Sequence, residues 1–291
     1  MNGNNILEVR RLRKKYRGFT LDDIDLDLPF SGVTGIIGPN GAGKTTTIKL
    51  IMNMIVPDRG SITVFGRPHD QDEKFIKNRI GYVGEEQPFY DFHSAVWTGR
   101  FVSHFFEKWD AALYARYLDA FQLPPRKRIK SFSKGMRVKL ALAVALSHDP
   151  ELVILDEPTA GLDPVVRRDI LERLREIASD KERAVLISSH ITDDLERIAD
   201  NLVYMINGRI VLFSDKDSLL AEWKRVRYTP DALDEDTISA LTVEEKGLFG
   251  SSGITREYSR LKPRLAKALT QGHVKIENMG LDDILIQLAG E

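Results

Sequence analysis

Gly38-Pro39-Asn40-Gly41-Ala42-Gly43-Lys44-Thr45-Thr46 meets the pattern G-x-x-x-x-G-K-[ST] at every fixed position. Its flanks have the character that the pattern requires. Before it, Val33-Thr34-Gly35-Ile36-Ile37 is an apolar run of strand length; after it, Ile48, Ile51, Met52 and Ile55 recur at helical spacing. Strand, glycine-rich loop and helix in that order turn consecutive backbone N–H groups, and the positive end of a helix dipole, toward an anion. Lys44 is then expected to reach the β- and γ-phosphates of a nucleoside triphosphate, and Thr45 to offer its hydroxyl to Mg²⁺.

The chain is long enough for about two domains, and 42% hydrophobic with 29% charged residues suits a folded protein with a sizeable core rather than a disordered one. A formal net charge of −1 leaves no basic excess, so no nucleic-acid partner is expected. The absence of cysteine excludes disulfides and cysteine metal sites. MNGNNILEVR, residues 1–10, lacks the apolar core of a signal peptide, and no window approaches about 18 consecutive apolar residues. The expected place is the cytoplasm, with any membrane role exercised through a partner.

Working outward, residues 6–30 alternate at Ile6, Glu8 and Leu12, then at Leu21, Ile24, Leu26 and Leu28, which predicts antiparallel strands with Tyr16 in the turn between them. Pro57-Asp58-Arg59-Gly60 stops the helix after the loop; 61–65 and 80–83 follow as short strands. Between about 87 and 149, Trp97, Phe101, Phe105, Trp109, Leu113, Tyr117 and Phe121 recur at helical spacings. This predicts an all-helical insertion whose aromatic stripe, Phe89 to Trp109, is mostly its core, with part of it left to line a groove for a membrane partner. Leu152–Leu155 and Ala184–Ile187 are continuous apolar runs, the pattern of parallel strands covered on both faces. The helix between them starts at Asp163-Pro164 and buries Ile170, Leu171, Leu174, Ile177 and Ala178. Asn207-Gly208 predicts a tight hairpin.

The fold expected is therefore α/β. It has a parallel sheet with helices on both faces, an antiparallel β subdomain and a helical subdomain at about 87–149, together spanning 1–215. A small α+β appendix occupies 216–291, with acidic residues at 234–236, a flexible Gly250-Ser251-Ser252-Gly253, and helices lined by Leu261, Leu265, Ala268 and Leu269 and by Leu281, Ile284, Leu285 and Leu288. No internal repeat is present.

A phosphate loop needs a second carboxylate on the metal side, and the strand at 152–155 delivers Asp156 at its C-terminal end, where α/β sheets bind ligands. Glu157 follows and is the candidate general base for an attacking water. His190, at the end of the next parallel strand, is a candidate hydrogen-bond partner for the γ-phosphate or for Glu157.

These residues resemble the ATP-binding cassette (ABC) family, the motor subunits of ABC transporters, over about 6–215. The likeness rests on the order of segments: the phosphate loop, then Phe132-Ser133-Lys134-Gly135-Met136 where the family has LSGGQ, then 152–157 as the Walker B strand, Ala160-Gly161-Leu162-Asp163 as the D-loop and His190 as the switch histidine. The resemblance implies ATP and Mg²⁺ as cofactors. It implies a second cassette, in a homodimer or a paralogous heterodimer, whose bound γ-phosphate meets Ser133 and Gly135, with Asp163 beside it. It also implies a transmembrane permease on a separate chain, export as the direction, and a place on the inner face of the cell membrane. Tyr16 falls where the family stacks an aromatic on adenine. The family's usual Gln is here Glu85, beside Glu86, which places a carboxylate at the contact to Mg²⁺ and lytic water. The signature keeps Ser133 and Gly135 but carries Lys134 and Met136, as in exporters with a separate membrane subunit. The alternative is a soluble ABC ATPase acting on DNA or ribosomes. Such proteins join two cassettes or insert a long coiled coil, and neither feature is found here.

Overall fold

Alternating apolar residues pair the first two strands. β1 (Asn5–Tyr16) and β2 (Phe19–Pro29) run antiparallel and bury Leu7, Val9, Leu12, Leu21, Ile24, Leu26 and Leu28. Tyr16 ends β1 directly opposite Phe19, and the turn is Arg17-Gly18, so Tyr16 belongs to the strand and not to the turn. The computed structural model describes residues 5–180, 183–247 and 250–290 and divides into two compact units, Met1–Phe213 and Ser214–Glu291.

In the first unit, β3 (Gly32–Ile37) leads through the glycine loop into α1 (Lys44–Ile51). The helix stops earlier than the apolar spacing predicts. Met52 is its C-cap, Asn53 has a positive φ of 52°, and Ile55 packs on the core from beyond the helix end. β4 (Arg59–Val64) returns to pair with β1, and the two-residue β5 (Arg67–Pro68) completes a four-stranded sheet in the order β2-β1-β4-β5. α2 (Glu73–Lys77) and β6 (Ile80–Val83) follow.

Three helices come next: α3 (Ala95–Val102), α4 (Ala111–Ala120) and α5 (Lys134–Leu146). Each is started by a side chain that accepts first-turn N–H groups, from Ser94, Asp110 and Ser133 respectively. The expectation that the aromatic stripe is mostly core does not hold. Phe101 and Phe105 are 38% and 63% exposed, and Tyr90 is 60% exposed. The reason is the close approach of α3 to α4. A Cβ on Gly99 would lie 2.2 Å from Tyr114 Cε1, so the inward face of α3 is Ala95, Thr98 and Gly99, and Trp97 and Phe101, each two residues from Gly99, are turned away from it. The buried set here is Tyr114, Leu118, Phe121, Leu123, Ile129 and Phe132.

His148, just past α5, is 1% exposed, stacks on Phe106 at 3.9 Å and has Nε2 3.1 Å from the Ile80 carbonyl. Burial pushes its pKa from 6.5 down to about 4. Above the ordinary value the ring is neutral in both folded and unfolded chains. Between the two values only the unfolded chain takes up the proton, so stability should fall with pH across that window by up to about 3 kcal/mol, and no further below it. Urea titrations at stepped pH should show a slope that is shallower in His148→Gln; equal slopes would remove this ring as its source.

The remaining elements of this unit are β7 (Leu152–Asp156), α6 (Pro164–Asp180), β8 (Ala184–Ser189), α7 (Thr192–Ile198), β9 (Asn201–Ile206) and β10 (Arg209–Asp215). They complete a six-stranded sheet in the order β10-β9-β3-β8-β7-β6, in which β9, β3, β8, β7 and β6 are parallel neighbours. The β9–β10 turn is Asn207-Gly208 with both φ values positive, 47° and 77°, as a primed turn needs. All the parallel strands present their C-terminal ends at one edge, so the loops after β3, β6, β7 and β8 share it.

The second unit begins with α8 (Lys216–Glu222). Then come β11 (Lys224–Tyr228), α9 (Glu235–Ser239), β12 (Thr242–Gly247), β13 (Gly250–Thr255), α10 (Tyr258–Thr270), β14 (Val274–Asn278) and α11 (Leu281–Ala289). The strands form one antiparallel sheet in the order β12-β13-β11-β14, and Val226, Tyr228, Leu261, Leu265 and Ala268 make its core. Gly250-Ser251-Ser252-Gly253 is not a flexible link but the first part of β13. A Cβ on Gly253 would lie 2.9 Å from Leu241 Cβ, so glycine is what lets the strand pass there. Asp234 caps α9 through the Thr237 N–H.

Candidate functional site

The loop between β3 and α1 is closed by its own backbone. Ala42 N–H donates to the Pro39 carbonyl at 3.1 Å, and Gly208 N–H donates to Ala42 at 3.0 Å. Gly43 stands at the helix N-cap with φ +111°, a conformation side-chain-bearing residues avoid, and its α-carbon faces Leu21 and Phe19. Lys44 is 5% exposed. Its Nζ donates to the carbonyls of Gly38 at 2.7 Å and Pro39 at 3.3 Å, and pairs with Glu157 Oε1 at 3.1 Å. The ammonium is thus held at the mouth of the loop by oxygens on two elements.

Parallel pairing of β7 with β8 sets the carboxylates. Asp156, 1% exposed, accepts from Thr45 Oγ1 at 3.1 Å and from Ser188 Oγ at 2.7 Å, on the same oxygen. The Tyr82 phenol is pushed up by burial and then by the charge of Asp156. Glu157 takes φ +49°, outside the comfortable region for a side chain this long. Such strain persists where the surroundings over-determine it, and here they do. Its N–H donates to Ser188 Oγ at 2.9 Å, while its Oε2 lies 2.7 Å from His190 Nδ1 and accepts the His190 N–H at 3.3 Å.

A cleft of about 510 Å³ joins loop residues 40–46 to Phe19, Glu85, Glu157, Ala160 and His190. Asn40, Gly41, Ala42, Gly43, Lys44, Thr45 and Thr46 therefore face one space with Glu157, His190 and Glu85, the last from an exposed position on the rim. Gly38 and Pro39 contribute through the carbonyls that hold Lys44. Gln87 shapes the rim by donating to the carbonyls of Gly84 at 2.9 Å and Glu85 at 3.1 Å.

Tyr16, Ser133, Gly135 and Asp163 do not line this cleft. Tyr16 is 41% exposed, and its cross-strand neighbour Phe19 is the aromatic on the wall. Ser133 accepts the Met136 N–H at 3.2 Å and opens α5, while Asp163 accepts from Val165 and Val166 at 3.2 and 3.1 Å and opens α6. The two helix starts touch: a Cβ on Gly135 would lie 2.6 Å from Val166 Cγ1, and Lys134 Nζ approaches Gly161. Sequence reasoning missed Phe19 and Ser188, and named Ala160 only as the first residue of the D-loop. Phe19 could have been found from its place opposite Tyr16 across a two-residue turn; Ser188 carries no local signal.

Thr45 and Asp156 supply hard oxygen donors side by side, the donor type that Mg²⁺ takes. Among the described residues no group of three or more His, Cys, Asp or Glu side chains is arranged to hold a metal. The donors fit an ion that keeps most of its shell as water and phosphate oxygen.

Residues 21–160 match the ABC transporter family. The Nod factor export ATP-binding protein I of Cupriavidus metallidurans is 33% identical over 210 residues, covering 70% of this chain and 69% of that one. The bacitracin transport ATP-binding protein BcrA of Bacillus licheniformis is 28% identical over 302 residues, covering 98% and 97%. A solved structure of the ATP-binding subunit of an ABC transporter superposes with a TM-score of 0.66 at 30% identity, over 74% of this chain and 92% of that one.

Proposed function

The chain belongs to the ABC transporter family as an ATP-binding, ATP-hydrolysing subunit, and from that premise we propose that it powers export through a transmembrane permease carried on a separate chain. The observation that carries the catalytic part is the convergence of Lys44, Thr45, Asp156, Glu157 and His190 at one sheet edge. Lys44 neutralises the β- and γ-phosphates, Thr45 and Asp156 hold Mg²⁺, Glu157 takes the proton of the attacking water, and His190 fixes the Glu157 carboxylate. Glu85 reaches the same space from the rim. Ser133 and Gly135, which do not line the phosphate-loop cleft, suit an arrangement in which a second cassette supplies the ATP they meet. Tyr16 and Phe19 offer the aromatic surface for adenine.

Export is supported by the Cupriavidus relative, whose own name states it, and the two relatives together support a transport complex as the setting. No helix among the described residues is long and apolar enough to cross a membrane; in this reading the pathway is the partner's. The aromatic row on α3 and just past it, in which Phe101 and Phe105 are exposed, supports where that partner docks. Trp97 stacks on His93 at 3.7 Å and on Phe101 at 5.1 Å, and Phe105 extends the row. Such a row suits an apolar helix end of a permease on the inner face of the membrane.

Fractionation of the native cell tests the reading. Most of the wild-type chain should sediment with membranes, and Phe101→Glu with Phe105→Glu should move it to the soluble fraction while ATP binding persists. A wild-type chain found wholly with ribosomes, DNA or the soluble fraction would instead favour the ABC ATPases that act outside transport.

A further inference from the structure

The Glu157–His190 contact joins two loops that have left the sheet. Backbone pairing of β7 with β8 ends at Asp156 opposite Ser188, and beyond it the strands no longer hold one another in register. Ser188 ties the end of the pairing to the next residue, its hydroxyl donating to Asp156 and accepting the Glu157 N–H. Farther out, the tie is Asp194, on the first turn of α7, four residues after His190. Asp194 is 1% exposed. It accepts from Thr159 Oγ1 at 2.6 Å, two residues after Glu157, and from Arg167 Nε, on the first turn of α6. Thr159 is itself 1% exposed. One carboxylate, withdrawn from water, therefore fastens the helix that follows His190 to the segment that follows Glu157.

A buried carboxylate is costly unless charged and hydroxyl partners surround it. An apolar residue would fill the same volume without that requirement. What Asp194 adds is direction: its two oxygens accept separately, one from Thr159 in the segment after Glu157 and the other from Arg167 on α6, so α7 is tied to both. We propose that Asp194, with Thr159 and Arg167, is a positioning clamp for hydrolysis that holds His190 against Glu157. The proposal rests on the reading of those two residues given above. It assigns Asp194 no contact with nucleotide, so its loss lowers turnover and leaves ATP affinity in place.

The test measures kcat, KM and ATP dissociation constants for Asp194→Asn, Thr159→Val and Thr159→Ser, each in the wild-type and the His190→Ala backgrounds. In the wild-type background, Asp194→Asn and Thr159→Val should lower kcat about tenfold or more, since displacements of about 1 Å at a reacting group reach that size, with ATP affinity within twofold. Thr159→Ser, which keeps the hydroxyl, should restore turnover. In the His190→Ala background the same changes should add nothing, because the group they position is gone. Equal falls in both backgrounds would overturn the clamp and leave a purely structural tie. A wild-type kcat in Asp194→Asn and Thr159→Val, with His190→Ala slow, would also overturn it while sparing the reading of His190. A fast His190→Ala enzyme would instead sink that reading, and the clamp with it. Thr159→Val keeps the buried charge pair, so it answers even where Asp194→Asn fails to fold.

Discussion

Glu157→Gln should hydrolyse ATP about a hundredfold more slowly than the parent chain, or worse, while still binding it. The exchange keeps volume and hydrogen-bonding shape but removes the basicity needed to take a proton from water. Lys44, Thr45 and Asp156 remain to hold phosphates and metal. Without nucleotide the variant should also be less stable, because Glu157 Oε1 pairs with Lys44 at 3.1 Å and both groups lie almost entirely out of water. Breaking one side of such a buried pair costs about 3 kcal/mol. Bound phosphate replaces the lost anion, so the difference in melting temperature should close at saturating ATP. In the proposed arrangement, uncleaved ATP should then stay between the phosphate loop and the opposing Ser133 and Gly135. Light scattering should report twice the monomer mass after ATP addition, reversed by adding Ser133→Arg. Full turnover in Glu157→Gln would pass the role of base to His190; a strict monomer with ATP bound would count against the two-cassette arrangement.

The features of this site that could be read in the sequence are those whose cause is local. The phosphate loop is a backbone conformation that glycine at 41 and 43 permits, followed by a helix start, and both causes lie within nine residues. The apolar run at 152–155 and the Asn207-Gly208 turn are equally self-contained. The misreadings share the opposite property. Helical spacing found the face of α3 that carries Trp97 and Phe101, but not that α4 would claim the other face through Tyr114 lying on Gly99. Gly250-Ser251-Ser252-Gly253 has the composition of a linker, and only its pairing with β11 and β12 makes it a strand. Ser188 and Asp194 matter because β7 and β8 are neighbours, and residue spacing along the chain does not contain that fact.

Lys44→Ala should lose about a hundredfold or more in ATP affinity by calorimetry, because hydrogen bonds to charged groups contribute about 1.5–3 kcal/mol each and the proposed role gives the ammonium two phosphates. The structure supplies a way to separate this from general damage. Removing the ammonium leaves Glu157, 9% exposed, and the carbonyls of Gly38 and Pro39 without the cation they share, so the single variant should be destabilised as well as weak in binding. Adding Glu157→Gln removes the unpaired charge. The double variant should therefore recover most of the melting temperature lost in Lys44→Ala and none of the ATP affinity, a non-additive result in stability alone. If affinity returned together with stability, Lys44 would be a partner for Glu157 rather than a phosphate ligand. If Lys44→Ala bound ATP with an unchanged dissociation constant, the phosphate loop would lose its place as the centre of the site, since no other buried cation among the described residues lines that cleft.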